Sequence, residues 1–187
     1  MVVIGCGPVG LCAISCAAYL SKKHSIDLCI IALDSVPVRL QVAKTLGASH
    51  ALDFTLSSTL DFIRESSASG AGADYVLEIV GQKLAMKYAV NCVRPGGIIS
   101  SVGVHAYKEN QMSPIDAYDK NITFRCGRCP VRSILSSHSD DLFGILNSMD
   151  TSSLFTHRVS LSQVENAFAL FNEQKDGMIK CLIDFDF

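Results

Sequence analysis

A glycine-rich turn close to the start of the chain constrains its fold more than any other feature. The short apolar run VVIG comes first, and Gly5, Gly7 and Gly10 follow at the spacing G-x-G-x-x-G. The apolar stretch PVGLCAISCAAYLSKK comes next and is typical of a helix with a proline, Pro8, in its first turn. A strand, a tight glycine turn and a helix in this order predict the opening of a β-α-β unit.

Strands and helices continue to alternate through the first half of the chain. Apolar runs such as IDLCIIALD and DYVLEIV lack alternation, which is typical of strands buried on both faces of a parallel sheet. Helical segments such as VPVRLQVAKTLGA and QKLAMKYAVNCV separate them. This order predicts an α/β fold, a Rossmann-type doubly wound parallel sheet in three α/β/α layers.

Each glycine of the turn has a predicted role in binding a dinucleotide. Gly5 permits the tight turn, Gly7 lets a pyrophosphate approach the backbone, and Gly10 allows close packing of the helix on the strand. The N-terminus of the helix would then offer the phosphates free N–H groups and the positive end of its dipole. The alternative is a chance glycine turn between a strand and a helix.

Asp34 ends the second predicted strand, 24 residues after Gly10, and is the predicted partner of an adenosine ribose. A carboxylate there accepts hydrogen bonds from the ribose hydroxyls and repels the 2′-phosphate of NADP, which favours NAD(H). The same side chain suits a helix cap, since Ser35 and Pro37 follow it, and the two roles are compatible. Arg39 could reach the same ribose or be a solvated charge. It would equally suit a phosphate, which weakens the preference for NAD.

Composition and charge exclude several other classes of protein. The 187 residues are 49% hydrophobic with a formal net charge of −2, so we expect a folded domain that binds neither nucleic acid nor a membrane surface. No apolar run approaches the roughly 18 residues of a membrane span. No basic flank marks a signal peptide, so a cytoplasmic location is predicted.

The sequence predicts no metal site. The eight cysteines are expected to be thiols, and most of them lie in apolar segments. Cys126 and Cys129 have metal-like spacing, but no second pair completes a set of four ligands. The five histidines show no i, i+4 pairing and have no Cys or Glu at ligand spacing.

A series of segments in order along the chain supports a family resemblance. They are VVIGCGPVGL, IIALDSVPVRLQVAKTLGASHALDF, GADYVLEIVG, CVRPGGIISSVGV, NITFRCGRCPVRS and FTHRVSLSQVENAFALFNEQKDGMIKCLIDF. Together they resemble the medium-chain zinc-dependent alcohol dehydrogenases, nearest to the branch with alcohol, threonine and formaldehyde dehydrogenase-like members. The resemblance implies an oxidoreductase in which zinc acts as a Lewis acid on the alcohol oxygen and hydride passes to the nicotinamide.

The resemblance also implies roles for residues outside the three glycines. Pro8 and Val9 would complete the dinucleotide turn, and Lys180 stands where the family often has a basic residue near the pyrophosphate. Val80 and Gly81 would line the cofactor cleft where the fourth strand ends, and Val102, Gly103 and Val104 would meet the nicotinamide and its ribose. The alternatives are strand core for Val102 and Val104 and a solvated charge for Lys180.

The family places a zinc-binding catalytic domain before the cofactor domain, and the motifs of that domain do not occur in this sequence. Residues 1–125 are therefore interpreted as the NAD-binding domain, and residues 126–187 as a segment that in the family returns to the catalytic domain. We expect a truncated chain that binds NAD(H), holds no zinc, does not turn over alone and forms a homodimer through the cofactor domain. The alternative is a stand-alone dinucleotide-binding or regulatory module.

Three predictions concern the second half of the chain. Residues 105–120 are predicted to form a loop, and residues 133–149 a helix. Residues 161–177 are predicted to form another helix, with a capping box at Ser162 and Glu165. Its apolar face consists of Val164, Ala167, Phe168 and Phe171. Without its natural partner we expect this face to repack, to swap between chains or to stay exposed.

Overall fold

Parallel strands form the main sheet of the computed structural model, which describes residues 1–106 and 112–185. The strands are β1 (Val2–Ile4), β2 (Ile31–Asp34), β3 (His50–Asp53), β4 (Ala73–Glu78), β5 (Val93–Ser101) and β6 (Thr123–Cys126). Across the described part of the sheet their order is β3-β2-β1-β4-β5-β6, and every neighbouring pair is parallel. The chain moves outward from β1 in one direction and restarts on its other side, as a doubly wound sheet does.

Helices cover both faces of this sheet. They are α1 (Pro8–Lys23), α2 (Pro37–Thr45), α3 (Thr59–Glu65), α4 (Lys83–Cys92), α5 (Pro114–Lys120), α6 (Val131–Ser137), α7 (Ser139–Ser148) and α8 (Val164–Asn172). Val2 and Ile4 of β1 pack in one buried cluster with Ala89 of α4, while Val3 packs in another with Leu11 of α1. The predicted three-layer Rossmann-type fold is confirmed. No helix within residues 1–106 and 112–185 has the length and apolar character of a membrane span.

Helix α1 has the bounds that its sequence predicts. It begins at Pro8, where the missing N–H leaves no helical hydrogen bond unmade, and Gly7 before it has an extended backbone (φ −69°, ψ −177°). Lys22 and Lys23 stand in the last turn, where positive charge stabilises the negative end of the helix dipole. The helix therefore runs from the glycine turn along one face of the sheet.

A second, smaller sheet follows the main one. Its two strands, β7 (Phe155–Ser160) and β8 (Lys180–Asp184), are parallel, and α8 connects them. Met178 and Ile179, just before β8, are fully buried, and Ile179 belongs to the same cluster as Leu11 of α1. Ile179 therefore packs the segment just before β8 against the main domain.

The apolar face predicted for α8 is divided between core and surface. Ala167 is buried, whereas Phe168 is 69% exposed. Phe171 is partly exposed and contributes to the wall of the cleft described below. Phe168 therefore stays exposed, as one of the expected alternatives proposed, whereas Ala167 packs in the interior and Phe171 packs partly, at the cleft.

The predicted capping box at Ser162 and Glu165 is wrong. A capping box exists, but it is formed by Ser160 and Gln163, where the backbone N–H of Ser160 donates to Oε1 of Gln163 at 3.2 Å. A 3-10 turn, Leu161–Gln163, precedes α8, and the cap serves this turn. The sequence pattern is compatible with a capping box at Ser160 and Gln163 or at Ser162 and Glu165. The first pair forms because β7 ends at Ser160, so the helical turn begins directly after it.

Two other predictions for the second half need correction. Residues 133–149 form two helices, α6 and α7, because the backbone leaves the helical conformation at His138 (φ −134°, ψ 27°). The segment 105–120, predicted as a loop, contains α5, whose N-terminus is capped by the side chain of Ser113 accepting from the N–H of Ile115 at 3.1 Å. Residues 107–111 of that segment lie outside the described residues.

Candidate functional site

A cleft of about 630 Å³ opens at the carboxyl ends of β1, β2 and β4. Its walls come from the glycine turn after β1, the start of α2, the turn after β4 and the turn that follows α8. Helix α1 leaves β1 toward one face of the sheet and α4 lies on the other face, so the cleft is at the topological switch point. Open α/β sheets bind their ligands at this position, and the volume suits a small molecule.

Two of the three glycines make the turn itself possible. Gly5 has φ +94°, which L side chains rarely adopt, and its N–H donates to the carbonyl oxygen of Leu33 at 2.8 Å. A Cβ on Gly10 would lie 1.8 Å from the carbonyl oxygen of Gly5. Helix α1 therefore packs against the turn more closely than a side chain at position 10 would permit.

Gly7 differs from both, because a Cβ at this position would meet no atom within 4 Å. Gly7 lines the cleft together with Pro8, and it is the N-cap of α1, with no side chain capping the helix. The first turn of a helix carries N–H groups without helical partners and the positive end of the dipole. The open space at Gly7 therefore borders a helix N-terminus suited to an anion.

The carboxylate of Asp34 is buried at the end of β2 and lines the cleft. Its Oδ1 accepts hydrogen bonds from the N–H groups of Ser35 (2.8 Å) and Val36 (2.9 Å), at the start of α2. Its Oδ2 accepts from the N–H of Cys6 at 2.8 Å. Asp34 therefore holds the two residues just before α2 but makes no capping hydrogen bond to the helix, so the predicted helix cap is wrong. Through Oδ2 it also holds the glycine turn in place, a contact that the sequence did not predict.

Arg39 lies in the first turn of α2 and also lines the cleft. Its side chain is only 9% exposed, so the alternative of a solvated charge is wrong. Nη1 lies 3.8 Å from Oδ2 of Asp34, and Nε is a buried side-chain nitrogen with no hydrogen-bond partner in the described part of the chain. Buried donors are nearly always paired, so this atom indicates a missing acceptor.

The residues predicted at the nicotinamide end form two turns that touch each other. Gly81 has φ +77°, and a Cβ on it would lie 2.5 Å from the carbonyl oxygen of Val104. A Cβ on Gly103 would lie 2.2 Å from the backbone nitrogen of Gly81. Val80 lines the cleft, whereas Gly81, Val102, Gly103 and Val104 lie beyond its lining. Val102 and Val104 follow the end of β5 and are exposed, so the alternative of strand core is wrong for both.

Glu78 connects these two turns from below. It is fully buried at the end of β4, and its Oε1 accepts from the N–H groups of Val80 (2.9 Å) and Gly81 (2.7 Å). Its Oε2 accepts from the hydroxyl of Ser101 at 2.7 Å and lies 3.2 Å from Nε2 of His105. A buried carboxylate is stabilised when donors surround it, and here they come from both turns.

Val9 and Lys180 also lie away from the lining of the cleft. Val9 is exposed on the first turn of α1, one position past the residues that line the cleft. Lys180 is exposed at the start of β8. Burial raises the pKa of the Cys12 thiol on α1, and the positive charge of Lys180 opposes that rise, which places the lysine beside this helix.

Several other residues line the cleft that no sequence pattern indicated. Phe171 and Asn172 are the last residues of α8, and Gln174 lies in the turn after it. Phe54 directly follows β3, and Tyr88 belongs to α4. Burial raises the pKa of Tyr88 to about 12. These residues reach the cleft through packing between elements distant in the sequence. The burial of Met178 and Ile179, which follow the turn after α8, is the one signal that could have placed this turn near the cleft.

The described residues do not fit the zinc site that the family resemblance implies. Within residues 1–106 and 112–185, no three His, Cys, Asp or Glu side chains come together in a way that could hold a metal ion. Cys126 and Cys129 are both exposed thiols. Burial raises the pKa of Cys6 to about 12, with the nearby charge of Asp34 adding to the rise, so this thiol stays neutral beside the cleft.

The sheet topology and the cleft at its switch point define a Rossmann-like α/β domain. The family model described as zinc-binding dehydrogenase matches residues 8–142, and the chain belongs to this family of oxidoreductases. The match includes α1 and every strand of the main sheet except β1, which precedes the matched residues. Dinucleotide binding is expected for this family.

Relatives and solved structures agree with this assignment. The chain is 39% identical over 175 residues to zinc-type alcohol dehydrogenase B of Aspergillus flavus, covering 94% of this chain and 39% of the relative. It is 28% identical to the NADP-dependent isopropanol dehydrogenase of Clostridium beijerinckii, covering 98% and 51%. The structure of alcohol dehydrogenase TADH from Thermus sp. ATN1 superposes with a TM-score of 0.82 at 28% identity, covering 99% and 52%. The chain thus spans about half or less of the length of these relatives.

Proposed function

We propose that the chain binds NAD(H) in the cleft and acts as the cofactor-binding portion of a zinc-type alcohol dehydrogenase. The open space at Gly7, beside the uncapped N-terminus of α1, supports this proposal above all other observations. The backbone N–H groups and the helix dipole there stabilise negative charge. The pyrophosphate of the cofactor would lie at this point, with Pro8 and Val9 in the first turn and Lys180 supplying positive charge from β8.

The adenosine half of the cofactor would lie against Asp34 and Arg39. Two backbone N–H groups already bind Oδ1 of Asp34 and one binds Oδ2, so the remaining acceptor capacity is chiefly on Oδ2. A ribose hydroxyl could donate to this oxygen and accept from Nε of Arg39. That contact would remove the cost of leaving a buried donor unpaired.

The nicotinamide half would lie past Val80, along the two touching turns. Gly81 and Gly103 allow the turns to meet, and Val102 and Val104 present apolar surface to the nicotinamide ring and its ribose. When bound, the nicotinamide supplies the hydride acceptor for oxidation of an alcohol. The residues of this chain bind the cofactor, orient it and exclude water from one of its faces.

The proposal favours NAD(H) over NADP(H). The negative charge of Asp34 would repel a 2′-phosphate, and its burial strengthens that repulsion because less water screens it. Arg39 acts in the opposite direction, and the isopropanol dehydrogenase relative is named as NADP-dependent. We expect Asp34 to dominate, because it stands closer to the backbone that fixes the ribose and is held by three N–H groups.

We further propose that the chain binds the cofactor without oxidising alcohols by itself, because its described residues bring together no set of zinc ligands. The proposal keeps the division into residues 1–125 and 126–187, a homodimer formed through the cofactor domain, and a cytoplasmic location. Light scattering on the eluted peak of a sizing column tests the dimer. A mass equal to one chain at micromolar concentration would contradict it.

Calorimetric titration of the purified chain with NADH, NADPH and ADP-ribose tests the cofactor proposal. We expect NADH to bind at least about tenfold more tightly than NADPH, a difference of about 1.4 kcal/mol. The absence of binding heat at millimolar NADH would overturn the proposal. Zinc analysis and an alcohol-dependent assay of NADH formation test the second part, and stoichiometric zinc or measurable turnover would contradict it.

A further inference from the structure

A cluster of three polar side chains, two of them buried, lies under the two turns at the nicotinamide end. Glu78 ends β4, Ser101 ends β5, and His105 follows four residues later. Nε2 of His105 lies 2.7 Å from the hydroxyl of Ser101 and 3.2 Å from Oε2 of Glu78. The histidine is the one member of the cluster that is also exposed, with 34% of its side chain accessible.

The distances assign the hydrogen atoms of the cluster. A carboxylate only accepts, so the hydroxyl of Ser101 donates to Oε2 of Glu78 at 2.7 Å. The hydroxyl oxygen can then accept from His105, and Nε2 carries the hydrogen that points to it. Glu78 and Ser101 contact the same ring nitrogen, so the group lacks the order of a hydrolytic triad, in which the carboxylate binds the opposite nitrogen of the ring.

Hydrogen bonds to Glu78 and close backbone packing hold the two turns against each other. The backbone nitrogens of Val80 and Gly81 bind Oε1 of Glu78, and the N–H of Val102 donates to the carbonyl oxygen of Glu78 at 2.9 Å. Gly103 packs on Gly81 with no room for a Cβ. One glutamate therefore sets the position of both turns, and His105 closes the second turn back onto it.

We propose that His105 is a positioning residue that, through Ser101 and Glu78, holds residues 102–104 in place to receive the nicotinamide half of the cofactor. This inference rests on the proposed function, since it concerns the same bound dinucleotide. The histidine does not touch the reacting atoms. It restricts residues 102–104 before the cofactor binds, so less conformational entropy is lost on binding, and such preorganisation increases affinity.

Matched variants of His105 separate this role from a general effect on the fold. His105→Leu removes the N–H donor and keeps much of the side-chain volume, whereas His105→Gln keeps an N–H donor on a side chain of similar reach. His138→Leu is the control, because His138 is exposed between α6 and α7. NADH and ADP-ribose are the two ligands, and ADP-ribose lacks only the nicotinamide.

We expect His105→Leu to raise the dissociation constant of NADH about tenfold, the upper end of the effect of losing one hydrogen bond. ADP-ribose should bind equally well to both proteins, within twofold. His105→Gln should recover most of the NADH affinity, and His138→Leu should change neither constant. The fluorescence of bound NADH should shift toward that of free NADH in His105→Leu, since the ring meets a less ordered turn.

Four results would overturn the inference. Equal loss of NADH and ADP-ribose affinity in His105→Leu would assign the residue a structural role. Unchanged NADH affinity would mean that the turn needs no anchor at this position. Wild-type chain that binds ADP-ribose and NADH equally tightly would show that residues 102–104 do not hold the nicotinamide, while the proposed binding of the adenosine half would stand. Failure of both ligands to bind the wild type would overturn the proposed function as well.

Discussion

Nη1 of Arg39 lies 3.8 Å from Oδ2 of Asp34, so the two buried side chains form an ion pair without a direct hydrogen bond. The carboxylate is held by backbone N–H groups, while Nε of the guanidinium has no partner among the described residues. A hydroxyl that donates to the carboxylate and accepts from the guanidinium would satisfy both. The pair is therefore arranged for a ligand with the chemistry of a ribose.

Replacing Asp34 with asparagine should weaken NADH binding and relax the rejection of NADPH. The amide lacks the negative charge that a ribose hydroxyl binds and a 2′-phosphate avoids, so NADH affinity should fall by about 1–2 kcal/mol. Calorimetric titration with both cofactors measures the change. Unchanged selectivity between NADH and NADPH would remove Asp34 from the site.

The same substitution should also lower the free energy of unfolding. The –NH₂ group of asparagine would face at least one of the N–H groups that Asp34 now accepts, from Cys6, Ser35 or Val36, and leave it unpaired. We expect a loss of about 1–3 kcal/mol in a denaturant titration. Asp61→Asn is the matched control, because Asp61 is an exposed residue that forms an ion pair with Arg64, and the substitution should cost less than about 1 kcal/mol.

Replacing Gly7 with valine should abolish cofactor binding and spare the fold. The extended backbone of Gly7 accepts any side chain, and its Cβ position is free of neighbours, so stability should fall by no more than about 1 kcal/mol. The valine would occupy the space that a pyrophosphate needs. Gly127→Val is the matched control, since Gly127 also has open space around it but lies outside the cleft. Tight NADH binding by Gly7→Val would place the phosphates elsewhere.

Replacing Gly10 with alanine should, unlike the change at Gly7, mainly lower the stability of the fold. Its methyl group would be forced to within 1.8 Å of the carbonyl oxygen of Gly5, so α1 would have to move away from the turn. We expect a loss of about 3 kcal/mol in the free energy of unfolding, the upper end of the range for overpacked cores. Thermal unfolding followed by circular dichroism measures it, and an unchanged midpoint would show that α1 shifts freely.

The cysteines should divide into two classes of reactivity. Burial raises the pKa of Cys6 and that of Cys92 to about 12, so at pH 8 roughly one molecule in ten thousand carries the reactive thiolate at either site. Cys126 and Cys129 are exposed. Mass spectrometry after a short treatment with iodoacetamide should find label on the exposed pair and none on the buried pair. Chain unfolded in guanidinium should be labelled at every cysteine, and rapid native labelling of Cys6 would contradict its burial.

Local patterns in the sequence predicted the part of the fold that local physics determines. The bounds of α1 follow from Pro8 at one end and the lysines Lys22 and Lys23 at the other, and the roles of Gly5 and Gly10 in the turn follow from the absence of a Cβ. These features depend on residues within a few positions of each other. Backbone sterics and hydrogen bonding of the helix ends are enough to specify them.

Features that depend on distant residues were not predictable in this way. The burial of Arg39 and the contact of Asp34 with Cys6 require β1 and β2 to be in register. The place of Gln174 in the cleft wall requires Ile179 to pack on α1. The choice of Ser160 over Ser162 as a cap depends on where β7 ends. In each case several local patterns were equally acceptable, and tertiary packing selected one.

The cleft takes its walls from Ile4 near the start of the chain and from Gln174 close to its end. A molecule that fills it therefore contacts residues that are far apart in the sequence. Ligand affinity and the packing of residues 173–184 are thermodynamically linked, so a bound ligand lowers the fraction of molecules in which this segment has detached, and detachment weakens ligand binding by the same free energy. The rate of proteolysis between α8 and β8 should therefore fall when the cleft is occupied, although most of the residues that line the cleft lie in the first half of the sequence.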